Sequence, residues 1–77
     1  PNPLSSFSTV KFSNLINEGQ LEIYNVYGIL VKIIYNISGE SILLDRSDFT
    51  SQSGIYFLIL KQDNVFIART KIVLVDI

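Results

Sequence analysis

Along its 77 residues this chain alternates apolar and polar side chains with a period close to two, and no stretch of ten or more residues keeps the 3.6 period of a helix. β-branched and aromatic residues fill the alternating positions, so the chain is confined to strands joined by turns. Residues 5–12 read as a first strand with Val10 and Phe12 on one face. Residues 13–20 hold turn formers, and the chain is expected to reverse at Glu18-Gly19. Residues 21–25 follow, with Leu21, Ile23 and Asn25 opposing Glu22 and Tyr24. Tyr27-Gly28 closes a tight turn, because glycine tolerates the positive φ such turns need.

The next strand, residues 29–35, sets Ile29, Val31, Ile33 and Tyr35 against Leu30, Lys32 and Ile34. Residues 36–40 read as another turn and 41–45 as a short strand. Residues 46–53 are polar apart from Phe49, which is expected to plug the open end of the core. Residues 54–61 are apolar on both faces, as in a central strand. A hairpin loop at Gln62-Asp63-Asn64 then leads into the longest strand, 65–75. Strands this short and this closely spaced predict an all-β fold, a small immunoglobulin-like antiparallel β-sandwich of six or seven strands in two sheets.

Length and composition narrow the function classes. The chain makes one domain, 1–77, in which residues 1–4 read as the end of an upstream linker and the domain start. A core in a chain this small supplies no more than about 3–5 kcal/mol without a staple. With no Cys and no His, disulfides and thiolate or imidazole metal sites are excluded. Stability rests on apolar packing, for which 48% hydrophobic content is sufficient. Six basic and seven acidic residues leave a net charge of −1 with the cations scattered, which argues against nucleic acid as a partner. No apolar run approaches the roughly 20 residues that span a bilayer, so no direct membrane insertion is expected, and any export is expected to be directed from upstream of Pro1.

No cofactor and no catalytic residue is expected. A nucleophile here would have to be a hydroxyl activated by lysine, and Lys11 beside Ser8 and Thr9 reads instead as a solvated strand face. Asp45 and Asp48 lack the alternating oxygen ligands and distal Glu of a calcium loop, so turn and capping roles are expected for them, with no metal. Asn36-Ile37-Ser38 matches a glycosylation pattern but lies in a turn. Phe7, Phe12, Phe49, Phe57 and Phe66 are expected in the core, with Tyr24, Tyr27, Tyr35 and Tyr56 at its margins.

The last strand admits two readings. Phe66, Ala68, Thr70, Ile72 and Leu74 share one face, expected to point inward, and Val65, Ile67, Arg69, Lys71, Val73 and Val75 share the other. A strand buried on both faces explains the apolar terminus. So does a strand end that a partner grips by edge pairing or through an apolar patch.

Four motifs in order point further. Pro1-Asn2-Pro3 opens the chain, and Ile23-Tyr24-Asn25 is followed by Gly28, Leu30, Val31 and Lys32. Leu44-Asp45 through Phe49 leads to Ser53-Gly54-Ile55-Tyr56, and Lys71-Ile72-Val73 with Leu74 and Val75 closes the chain. In this order and spacing the sequence resembles the type A C-terminal sorting domain of type IX secretion cargo from Bacteroidetes-type bacteria. It departs from that family in a slightly longer loop from Phe49 to Gly54, and in ending Asp76-Ile77 where members often carry a basic cluster.

The resemblance implies an immunoglobulin-like sandwich that acts as an address label rather than an enzyme. Its implied partners are the type IX outer-membrane translocon with its shuttle proteins, a sortase-like peptidase, and an upstream cargo domain. It also implies passage through the periplasm to the cell surface or the medium, commonly with removal of the domain. The rival reading is an accessory immunoglobulin-like or fibronectin-like module that binds glycan or spaces domains on a secreted enzyme, and it requires an exposed tyrosine cluster.

Overall fold

The alternation does produce strands, but fewer and longer ones than the sequence predicts. The computed structural model describes residues 7–45, 48–49 and 54–74. Among them, four antiparallel strands form one hydrogen-bonded sheet: β1 (Phe7–Tyr24), β2 (Leu30–Asp45), β3 (Gly54–Gln62) and β4 (Val65–Leu74), in the order β2-β1-β3-β4. The all-β, antiparallel expectation holds. Six or seven strands in two separate sheets do not appear among the described residues, because two of the expected turns are not reversals.

Residues 13–20 and 36–40 are instead irregular stretches of two neighbouring strands, facing each other. Ile16 pairs with Gly39 and Gly19 with Ile37, with shifts of register on both sides of these pairs. The positive φ that suggested turns is present at Glu18 (52°), Asn36 (58°) and Gly39 (111°), but here it builds bulges. A bulge strands backbone donors, and side chains collect them. The Asn17 N–H donates to Gln62 Oε1 at 3.0 Å and the Glu18 N–H to Ser38 Oγ at 3.2 Å. Asn36-Ile37-Ser38 therefore belongs to this corner.

The corner bends the β1–β2 ribbon. Its outer half, Phe7–Lys11 paired with Ser41–Asp45, lies beyond the reach of β3, which meets β1 only from Gly19 onward. Leu44 in that half is nevertheless fully buried, and Val10, Phe12 and Ile42 pack on the core. A second layer must therefore cover them, and a hollow lined by Val10 and Phe12 on one side and by Ile67 and Ala68 of β4 on the other marks where the layers face. One coiled sheet thus does part of the work of two.

The core is Leu21 and Ile23 of β1, Leu58 and Leu60 of β3, and Ile72 and Leu74 of β4, with Ile16 and Ile37 at the bend and Leu44 in the outer half of the ribbon. Each such side chain contributes about 1.5–3 kcal/mol by leaving water. Central β3 has neighbours on both sides, as its two-sided apolar pattern predicts. Phe49 lies on the connection that passes from edge strand β2 to β3, on the far side of β1, and is buried with its ring 4.9 Å from that of Tyr56. The expected plug is there.

Other aromatic placements differ. Tyr56 is a core residue at 4% exposure, while Phe66 is 56% exposed. Phe57 is only partly buried because its partner Tyr24 puts it on the outer face. Phe66 leaves the inner face because Leu60 pairs with Ala68 but Lys61 with Phe66, so a bulge at Ile67 reverses the alternation. A similar shift between Ile23 and Tyr24 against β2 lets both Val31 and Ile34 pack inward, contrary to strict alternation.

Candidate recognition surface

Two tight turns bound the sheet at opposite ends. At one, the expected hairpin between β3 and β4 is there, but its loop is only Asp63 (φ 54°) and Asn64 (φ 62°), because Gln62 still pairs with Val65. At the other, Gly28 takes φ 81°, its N–H donates to the Asn25 carbonyl at 3.0 Å, and the Asn25 N–H donates to the Ile29 carbonyl at 3.0 Å. Asn25 Oδ1 also accepts from the N–H groups of Tyr27 (2.9 Å) and Ile29 (3.0 Å). One asparagine and one glycine thus satisfy the whole β1–β2 turn.

The motif residues gather at this second end. Tyr24 pairs with Phe57, and Phe57 with Lys71, so the three form one cross-strand row on the outer face. Tyr56 pairs with Ile72 and Gly54 with Leu74 on the inner face, so the SGxY opening and the closing strand are direct neighbours. Lys32 pairs with Ile23, and its Nζ reaches Asp48 Oδ1 at 2.7 Å. Pro1, Asn2, Pro3 and Val75 lie outside the described residues, as do Ser53, most of the loop from Phe49 to Gly54, and the Asp76-Ile77 ending.

Within the last strand the two readings divide by position. Ile72 and Leu74 are buried to 1% exposure, as expected of the inner face, and Val73 is partly buried. Residues 65–71 are exposed, so the strand is not buried on both faces along its length. Asp48 meets the expected capping role, since Oδ2 accepts from the Asp45 N–H at 2.9 Å while Oδ1 takes Lys32. Among the described residues, no three metal-ligating side chains come together. Lys11 and Thr9 stand exposed on the strand face.

Beside this row lies a polar network that the alternation only half announced. Gln20, Glu22 and Tyr24 share the outer face at two-residue spacing, and Lys61 of β3 joins them across the sheet. Glu22 is 6% exposed and accepts from Tyr24 Oη at 2.7 Å and from Gln20 Nε2 at 2.9 Å, with Lys61 Nζ 3.0 Å away. Burial pushes its carboxyl up, but the bonds from Tyr24, Lys61 and Gln20, with the lysine charge, outweigh it and hold the acid below its ordinary range. The same bond to Glu22, with burial and the carboxylate charge, raises the Tyr24 phenol. This network orients the Tyr24 ring beside Phe57. Lys61 could not be assigned to it without the register, which only the fold supplies.

Sequence comparison tests the resemblance directly. No curated protein and no solved structure matches the chain. A family described as the secretion system C-terminal sorting domain does match, over residues 1–75. With that match spanning nearly the whole chain and the motif residues of four strands meeting at one end of the sheet, the protein belongs to the type IX secretion C-terminal sorting domain family.

Proposed function

We propose that this domain is the export address of a cargo protein attached upstream, read in the periplasm by the type IX outer-membrane translocon and its shuttle proteins. A sortase-like peptidase then removes it as the cargo reaches the surface or medium of a Bacteroidetes-type bacterium. The observation that carries the reading is the family match over residues 1–75. The gathering of Tyr24, Gly28, Lys32, Gly54, Tyr56 and the Lys71–Leu74 segment at one end supports it, because a receptor could touch the exposed members together. The accessory glycan-binding reading is less well supported: Tyr56 is buried, and the Tyr24 hydroxyl is taken by Glu22.

The test is export of a fluorescent reporter with a Sec signal in front and these residues behind, in a type IX-competent host and in its translocon mutant. Export only with the translocon intact supports the address function, and equal retention in both strains refutes it. Release of reporter lacking the domain, dependent on the sortase-like peptidase, tests removal. Truncation before Lys71 is a poor substitute. It would delete Ile72 and Leu74 from the core, at roughly 1.5–3 kcal/mol each, in a domain with little stability to spare.

A further inference from the structure

The β1–β2 turn carries more apolar surface than its geometry needs. Asn25 and Gly28 satisfy the turn, yet Val26, Tyr27, Ile29 and Leu30 are 56%, 85%, 61% and 45% exposed. None of the four serves the core, and an exposed apolar cluster of this kind marks a contact surface. Behind the tip lies a hollow of about 730 Å³ on the outer face, floored by Tyr24, Phe57 and Ile59 and walled by Arg69 and Lys71.

Arg69 gives the hollow a cation. In a chain with more acids than bases, no carboxylate of a described residue lines it. The nearest one along the strand, Glu22, is buried and committed to Tyr24, Gln20 and Lys61. Arg69 is exposed and makes no ion pair among the described residues. Its planar guanidinium suits a carboxylate, which it can hold through two parallel hydrogen bonds.

Resting on the sorting function proposed above, we infer that the β1–β2 tip and the Tyr24–Phe57–Arg69 hollow form the docking face for the export machinery. The partner is a protein segment that presents a carboxylate to Arg69 and apolar side chains to Tyr27, Ile29 and Phe57. A second copy fits badly, because two-fold pairing of this face offers Arg69 no carboxylate among the described residues that line the hollow. A lipid surface is disfavoured as well, since Arg69 contributes only about 1 kcal/mol at an anionic bilayer.

The reporter assay separates these cases when each variant is also purified and its urea midpoint measured. Arg69→Glu, and separately Tyr27→Ser with Ile29→Ser, are expected to lower translocon-dependent export about tenfold or more, with unchanged midpoints. Arg69→Lys keeps export within about threefold of wild type, because the charge remains while the bidentate geometry is lost. Leu43→Ser, at an exposed apolar position in the outer half of β2, leaves export unchanged. Wild-type export by both Arg69→Glu and the tip variant overturns the docking face while leaving the sorting function standing. Failure of the unaltered domain to direct export overturns the sorting function and the docking face with it. Sedimentation equilibrium and flotation with phosphatidylglycerol vesicles complete the test. A dimer, or vesicle binding, that Arg69→Glu abolishes overturns the protein-partner assignment in favour of a second copy or of lipid.

Discussion

Replacing Lys61 by methionine probes the one buried charge among the described residues. The substitution keeps most of the aliphatic stem and removes the ammonium 3.0 Å from Glu22 Oε2. Glu22, 6% exposed, is left with two neutral donors, Tyr24 Oη and Gln20 Nε2. Stranding one partner of a fully buried pair costs about 3–5 kcal/mol. The Lys61 side chain is 33% exposed, so water already screens part of the attraction. A single charge-assisted hydrogen bond, about 1.5–3 kcal/mol, is the better scale. The expected loss is about 2 kcal/mol at pH 7, or roughly 8–16 °C in Tm for a domain this small.

Acid supplies the control for the same substitution. The folded Glu22 carboxyl lies below its ordinary 4.5, so its contribution is complete above that pH and is lost as pH falls through the folded value. Removing Lys61 takes away a hydrogen bond and a charge that lower this acid, while burial still raises it. The Lys61→Met carboxyl therefore titrates at higher pH than the wild-type one. Its stability penalty shrinks on acidification, once Glu22 is protonated in both proteins. Urea unfolding at several pH values measures the penalty, and carboxyl ¹³C shifts follow Glu22. A penalty below about 0.5 kcal/mol at pH 7, or one that stays constant into acid, refutes the argument.

Gly19→Ala is expected to destabilise by about 1–3 kcal/mol in urea titration, because the new Cβ would sit 2.5 Å from Ile16 Cγ2 and 3.3 Å from the Lys61 carbonyl at the crowded corner. Asn25→Ala removes the acceptor for two backbone N–H groups in an exposed turn and should lower the thermal midpoint by the equivalent of about 1–2 kcal/mol. Lys32→Met breaks an ion pair whose lysine side chain is 43% exposed, so a change within about 1 kcal/mol is expected, fading with added salt. On the alkaline side, the Tyr24 bond to Glu22 is intact below the ordinary phenol value of 10.0 and is lost as pH rises through the higher folded value. Ultraviolet titration should accordingly find a phenol step above the ordinary value that Tyr24→Phe abolishes.

Local chemistry by itself determined that this chain is built of antiparallel strands, where its two tight turns lie, that residues 54–61 form an interior strand, and that Phe49 closes the core. Alternation, the Asn, Asp and Gly of the turns and two-sided apolarity act over a few residues, and so can be read without the fold. The ordered motifs likewise carried the family. What tertiary structure alone decided is whether Glu18-Gly19 and Asn36–Gly39 reverse the chain or merely bend it. The same positive φ serves a turn or a bulge, and the choice depends on whether a partner strand continues past it. Register decided the rest. One extra residue at Ile67 sends Phe66 outward, and pairing Glu22 with Ile59 brings Lys61 to a carboxylate far from it in sequence. Because side chains alternate faces at every step, a one-residue shift reassigns what is core and what is surface, and only long-range pairing sets that shift.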